Sequence, residues 1–325
     1  MYSSVRALVF LAALFTLGVL SFGGYMYLEF NSPVELKSGK VLIIPKGSGL
    51  NVIATLLTNS EVIKSKYPFI LGAKILGVSG RLKAGEYEFS KVVPPAAVLE
   101  TLVAGRTVVR NITIPEGLTS KEIVELLREE TGLSGTINAM PPEGSLLPET
   151  YYYSFGDSRR KILNRMQKKF ISKMKNLWGK RNLSIPLKTS DEAVVLASII
   201  EKETAVREER FLIASVFTNR LYRKMRLQSD PTVIYGVPDK EPNKPITQTD
   251  LRRKTAYNTY VIKGLPKTPI CNPGIASIEA ALHPATTRYL YFVAKGGGRH
   301  SFSKTLKEHN INVKKWRKAQ EKISK

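Results

Sequence analysis

One cysteine, Cys271, is present, so no disulfide can form within the chain and no cysteine cluster can hold a metal. Redox compartment therefore cannot be read from cysteine pairing. Histidine is nearly as scarce. His283, His300 and His309 are far apart in sequence and make no HExxH or similar ligand spacing. A fold could still gather them, but no metal and no cofactor is expected. GxSxG and P-loop motifs are absent too, which removes their chemistries. Acidic residues are few: 27 against 50 basic ones, a formal net charge of +23. Such an excess calls for an anionic partner, whether nucleic acid, anionic lipid or an acidic wall polymer. No nucleic-acid-binding motif is found, so a basic surface facing a negatively charged envelope is the preferred reading.

One long stretch lacks charge altogether. Ala7 to Leu28 reads ALVFLAALFTLGVLSFGGYMYL, 22 residues. About 20 helical residues cross a bilayer core. Arg6 and the amino terminus precede it, and Glu29 and Glu35 follow. The positive-inside rule then leaves residues 1–6 as a cytoplasmic tail and sends the bulk outside. A cleaved signal peptide is the alternative, with Ser21 and Gly23 as small residues, but the apolar run continues through Tyr25, Met26 and Leu28. Both readings export the rest of the chain, which argues against a nucleic-acid partner. Residues 29–40, with Pro33 and Gly39, read as a short stalk.

A repeat follows. IPKGSGLNVIATLL (44–57) and IPEGLTSKEIVELL (114–127) align without gaps at an offset of 70 residues. Each copy follows a β-type run (41–43 and 108–112), turns at Pro-x-Gly and enters an amphipathic helix. In the second copy Thr119 and Glu122 fit a capping box. Two copies are too few for a solenoid, so a duplicated supersecondary unit is expected. Between them, helices over 67–76 and 96–102 and a strand near 87–89 complete a small mixed module. Pro141, Pro142, Gly144 and Pro148 mark a break, and a basic helix follows over 159–178. A basic surface helix closes the chain over 314–325.

Residues 191–235 hold the densest chemistry. Asp191 can cap a helix whose stripe Ala193, Leu196, Ala197, Ile200 and Thr204 is apolar at helical spacing. Glu201 and Glu203 fall on opposite margins of that stripe. A carboxyl at such a margin loses solvation and its pKa rises, as a general acid near neutral pH requires. A helix glutamate is more often solvated or paired, and Lys202, Arg207 and Arg210 offer partners. Helix geometry does not choose between the two. A second helix over 211–222 carries Asn219 and Arg220 among apolar residues. The segment Leu227 to Thr232 then breaks into a polar loop whose donors and acceptors suit sugar hydroxyls. Tyr235, Tyr257 and Tyr260 can supply rings for sugar faces. A ligand-free Asx-type turn is the competing reading of that loop.

At these residues the sequence resembles a known family. ASIIEKET, SVFTNRL, MRLQSDPTVIYG, TAYNTY, GLP, NPG, ALHPA, YLYFVAKGGGRHSFS and EHN occur in this order, and EGSLLPETYYY precedes them. The series resembles the endolytic murein transglycosylases of the MltG/YceG-like type, densely over 193–310. That resemblance implies an α+β chain: a transmembrane helix (7–28), a small LysM-like α+β module (41–112) and a larger α+β catalytic domain (113–325). It implies that the first Glu of EKET, Glu201, is the catalytic acid, and that Gln228, Asp230, Tyr235 and Asn258 line a glycan cleft. The implied reaction cuts the bond between N-acetylmuramic acid and N-acetylglucosamine, with one carboxylate acting as acid and then base. The muramic C6 hydroxyl attacks C1 and a 1,6-anhydro end forms. The expected location is the outer side of a bacterial cytoplasmic membrane, with nascent peptidoglycan strands as substrate and peptidoglycan synthases as candidate partners. A lysozyme-type hydrolase and a non-catalytic glycan-binding scaffold are the rival functions.

Overall fold

A computed structural model describes residues 2–237 and 245–323. Met1 and the last two residues of the basic tail, Ser324 and Lys325, lie outside it. The chain is mixed α and β. It divides into two compact units: residues 1–110 with 152–157, and residues 111–151 with 158–325.

The first unit begins with helix α1 (Tyr2–Asn31). Its membrane-length stretch, Val5–Asn31, holds an 18-residue apolar window with no buried residue. A helix of that length and composition is long and apolar enough to cross a membrane. In mid-span the Thr16 hydroxyl donates to the carbonyl of Ala12, which hides the polar group against the helix itself. Beyond it, α2 (Leu50–Asn59), α3 (Lys66–Ile75) and α4 (Pro95–Ala104) pack on an antiparallel pair, Lys40–Ile44 with Gly85–Phe89. The core joins Ile53, Leu57, Phe69, Tyr87, Val98 and Leu102. Glu86 is buried in this unit and takes both Nε and Nη2 of Arg110, at 2.6 and 2.8 Å, a bidentate pair. The segment read as a stalk is part of the module instead. Val34 and Leu36 are buried, and Val34–Glu35 pairs with Val92–Val93. Val34, Glu35 and Leu36 alternate apolar and polar, as a short strand with one buried face requires.

The second unit is built on helices. They are α5 (Ser120–Glu129), α6 (Arg159–Gly179), α7 (Ser190–Glu203), α8 (Arg210–Tyr222), α9 (Asp230–Tyr235), α10 (Gln248–Arg252), α11 (Ile275–Leu282) and α12 (Leu306–Ile323). A hairpin, Tyr291–Gly296 with Arg299–Ser303, packs against α12. Helix α7 is central: Ala193 through Ile200 are all buried, against α8 and α11. Its buried Ser198 is satisfied twice over, donating to the Val195 carbonyl and accepting from the Ile270 amide. The cap of α7 is Thr189, not Asp191, and the helix stops at Glu203. The polar loop after α8 is shorter than the sequence suggests, because Asp230–Tyr235 forms the one-turn helix α9 with Pro231 in its first turn.

The two repeat copies keep the same local shape. Helices α2 and α5 start and stop at positions 70 residues apart. Gly47 and Gly117 both take left-handed backbone, at φ 82° and 81°, where a side chain would be strained. Ile53 and Leu57 are buried, as are Ile123 and Leu127. The capping box of Thr119 and Glu122 is present in the second copy, while α2 starts from Gly49 with no side-chain cap.

Candidate active site

The two glutamates of α7 lie two residues apart, so they project to opposite sides of the helix. Each enters a different set of partners.

Glu201 is enclosed. Its side chain is 6% exposed. One oxygen accepts from Nη2 of Arg210 at 3.1 Å and the other from the backbone N–H of Gly274 at 2.9 Å. The same guanidinium nitrogen lies 3.3 Å from Glu116, the middle residue of the second Pro-x-Gly turn. Glu116 packs against Gly274, where a Cβ would displace its carboxyl. The Pro-x-Gly turn and the NPG segment are tied to each other by Asn272: its amide N–H donates to the Leu118 carbonyl and its carbonyl accepts from the Gly117 amide. Burial, and then the neighbouring charge of Glu201, push the Glu116 carboxyl above its ordinary pKa.

Glu203 opens the other way. It lines a cavity of about 420 Å3, together with Arg220, Gln228, Asp230, Tyr260, Tyr291, Phe292, Leu306, His309 and Asn310. The Ser229 hydroxyl donates to Glu203 at 2.6 Å. Burial raises the Glu203 carboxyl to a pKa of about 7. The Ser229 hydrogen bond opposes that, and the negative charge of Asp230 adds to it. Asp230 in turn accepts from the Tyr260 hydroxyl at 2.6 Å. A second cavity of similar size, about 440 Å3, lies against α6, but Arg160 is its one titratable wall residue. It offers no acid or base.

The scaffold behind Glu203 is made of buried polar contacts. Arg220 donates to the carbonyls of Leu290 at 2.6 Å and Leu227 at 2.7 Å, which clamps the loop that carries Gln228. Gln228 itself has left-handed backbone, φ 51°, strain that a surrounding structure must hold in place. Thr232 and Thr259 exchange hydroxyl contacts at 2.9 Å, and Thr259 accepts from the Ser229 amide. These fix Ser229, and through it Glu203.

Of the residues expected to bind substrate, Gln228 and Asp230 do reach the Glu203 cavity. Tyr235 and Asn258 take other places. The Tyr235 hydroxyl donates to Glu143 at 3.1 Å and its ring meets Tyr257 edge-on. Burial raises the pKa of both Tyr235 and Glu143. Asn258 is buried, and its amide nitrogen donates to the carbonyls of Asp250, Leu251 and Arg253, while its oxygen accepts from the Tyr260 amide. It shapes the loop that presents Tyr260. Glu201 is not a wall of the cavity that Glu203 lines. Sequence reading gave no part in the site to Glu116, Arg220, Tyr291 or His309. Arg220 left a trace in the sequence, as a charge within an apolar helix, and His309 left one as part of EHN. Among the described residues no group of three or more His, Cys, Asp or Glu is placed to hold a metal ion.

The model of the YceG-like family matches residues 42–315, which include every residue of both clusters. The chain belongs to that family. A Bacillus subtilis protein named endolytic murein transglycosylase is similar to this YceG-like chain, at 35% identity over 90% of each. A Streptococcus pneumoniae protein of the same name is 28% identical over 96% of this chain, which spans 65% of that longer relative. The crystal structure of a yceG-like protein from Listeria monocytogenes is 33% identical, with a TM-score of 0.52, and covers 85% of this chain and 99% of its own.

Proposed function

We propose that this YceG-like chain is an endolytic murein transglycosylase, with Glu203 as its acid and base. The activity comes from the names of the relatives. The residue comes from one observation: Glu203 faces an open cavity with a carboxyl raised to about 7. A carboxyl of that kind keeps its proton near neutral pH and can give it to a leaving sugar oxygen.

In this reading a glycan strand lies in the Glu203 cavity. Glu203 protonates the oxygen between N-acetylmuramic acid and N-acetylglucosamine. Positive charge develops at C1, and Asp230 faces it from the cavity wall. The Glu203 carboxylate then takes the proton of the muramic C6 hydroxyl, which closes the 1,6-anhydro ring. One carboxylate thus plays two successive roles, unlike the usual glycosidase pair. Gln228 and Asp230 contact the glycan. Asn258 and Tyr235 act from behind, through Tyr260 and Glu143.

The reading with Glu201 as the acid follows the motif resemblance, and its support is the half-exposed Glu116 beside it, with a raised pKa of its own. Against it, each Glu201 oxygen already accepts one hydrogen bond, and one of these comes from a guanidinium that favours the charged form. The remaining parts of the proposal are a single-pass anchor at 7–28 in the cytoplasmic membrane, a LysM-like module over 41–112, a catalytic domain over 113–325 on the outer side, and nascent strands trimmed beside their synthases.

Mass spectrometry of sacculi digested by the purified protein tests the assignment. Wild type should release anhydro-muropeptides, one water lighter than a hydrolase's reducing ends. Glu203→Gln should release none while Glu201→Gln, if folded, still does. The reverse pattern restores Glu201. Hydrated products would make the protein a hydrolase, and no products at all would favour a scaffold.

A further inference from the structure

Helix α3 has an apolar face that its unit leaves largely exposed. Pro68, Phe69 and Ala73 point into the core. Tyr67, Leu71 and Ile75 are spaced four residues apart on another face, and Leu76 follows; Tyr67, Ile75 and Leu76 are each more than 60% exposed. Lys66 and Lys74 flank this face, and the Lys66 ammonium stands over the Tyr67 ring.

The same helix holds the end of the apolar helix α1. The ring of Phe30 packs on Gly72, where a Cβ would come within 2.5 Å of it. Beside this contact runs an apolar groove of about 450 Å3. Its α1 wall runs from Asn31 back to Gly23, and its α3 wall includes Leu71, Ile75 and Leu76. Eight residues of helix span about 12 Å, and the uncharged run ends at Leu28. Part of the groove is therefore level with the outer end of the membrane-crossing segment. The link from α1 to the module is also taut, since Val34 and Leu36 are already fixed in the core.

We propose that α3 is an interfacial helix of the outer leaflet. Tyr67, Leu71, Ile75 and Leu76 sit at the boundary of headgroups and chains, an acyl chain of a bilayer phospholipid fills the groove, and Lys66 and Lys74 face anionic headgroups. Two contacts with the bilayer, rather than a free tether, then set the depth and tilt of the first unit. The inference rests on α1 spanning the membrane.

Its test uses the full chain in vesicles of phosphatidylcholine and phosphatidylglycerol. Nitroxide labels are placed by Leu71→Cys, Ile75→Cys, Phe15→Cys and Glu125→Cys; Cys271 is buried, and unsubstituted protein checks that it stays unlabelled. Collision with oxygen and with a water-soluble nickel chelate reports depth. Labels at 71 and 75 should favour oxygen, as at 15, while 125 favours nickel. If 71 and 75 match 125 while 15 favours oxygen, α3 lies in water and the inference fails with the anchor intact. If 15 also matches 125, the anchor reading fails, and the inference with it.

Discussion

Glu201 and Glu203 are neighbours on one helix and opposites in surroundings. Around Glu201, three chain segments converge: Arg210 from α8 and Gly274 ahead of α11 each donate to it, and Glu116 competes for the same guanidinium. Around Glu203, the Ser229 hydroxyl is its one hydrogen-bond partner among the described residues, and the rest of its environment is cavity wall. The first arrangement ties the second Pro-x-Gly turn to the NPG segment. The second keeps a carboxyl poorly solvated and reachable. A carboxylate held by a guanidinium and a backbone amide ties segments together; one with a spare oxygen on a cavity can move a proton.

The strongest way to break this comparison is to neutralise each carboxyl in turn and measure turnover. General acid–base catalysis contributes roughly 10^2–10^4-fold, so Glu203→Gln should lower kcat by about that factor with little change in fold. A near-wild-type kcat for Glu203→Gln would remove the proton-transfer role from the open side of α7.

Glu201→Gln should act on stability first. Breaking a buried ion pair costs about 3–5 kcal/mol because the remaining charge is left uncompensated. Arg210 keeps Glu116 as a partner, so a loss near the lower end, about 3 kcal/mol, is expected. Thermal unfolding should show it, and activity below the transition should survive. An unchanged Tm with abolished activity would invert the roles of the two glutamates.

Much of this architecture was legible in the sequence. The 70-residue repeat predicted two strand–turn–helix copies, and the glycines at 47 and 117 share one backbone conformation. Helical spacing placed both glutamates at the margins of an apolar stripe. It could not rank them, because the ranking depends on segments far away in sequence: NPG closes over one, and 228–230 with Tyr260 opens beside the other. Tyr235 and Asn258 show the same limit. The Tyr235 ring and the Asn258 amide suggested contact with sugar, but the ring packs edge-on against Tyr257 and the amide is taken by carbonyls, and such partners are not written in composition. The repeat copies also part company at one residue: Lys46 donates to the Gly156 carbonyl, whereas Glu116 joins the Glu201 cluster. The same turn serves two ends, according to the residue between proline and glycine.

Asn258 sharpens the comparison from the cavity side. Replacing it with alanine takes a donor from the carbonyls of Leu251 and Arg253, while that of Asp250 keeps the Arg253 amide. Each buried group left unpaired costs about 1–3 kcal/mol, though part of this returns where water reaches the loop. Tyr260, no longer held through its amide, should lose its fixed contact with Asp230. KM for glycan strands should rise more than kcat falls. An equal loss in both would place Asn258 closer to the chemistry than its contacts suggest.

The smallest effect is a pH dependence of stability. The folded pKa of Glu203 is about 7, above the ordinary carboxyl value of about 4.3. The folded chain therefore binds this proton more tightly than the unfolded chain does. Stability from this group is complete below about pH 4 and is lost as pH rises through 7, when a poorly solvated carboxylate must be carried. Glutamine carries no such charge and can still accept from Ser229. Glu203→Gln should match wild type in Tm near pH 4 and exceed it by a few degrees at pH 8. Glu201→Gln should instead lose stability at pH 8, since the neutral side chain abandons the Arg210 charge. If both variants lost stability at pH 8, Glu203 would be a second structural carboxylate, and the difference between the two sides of α7 would disappear.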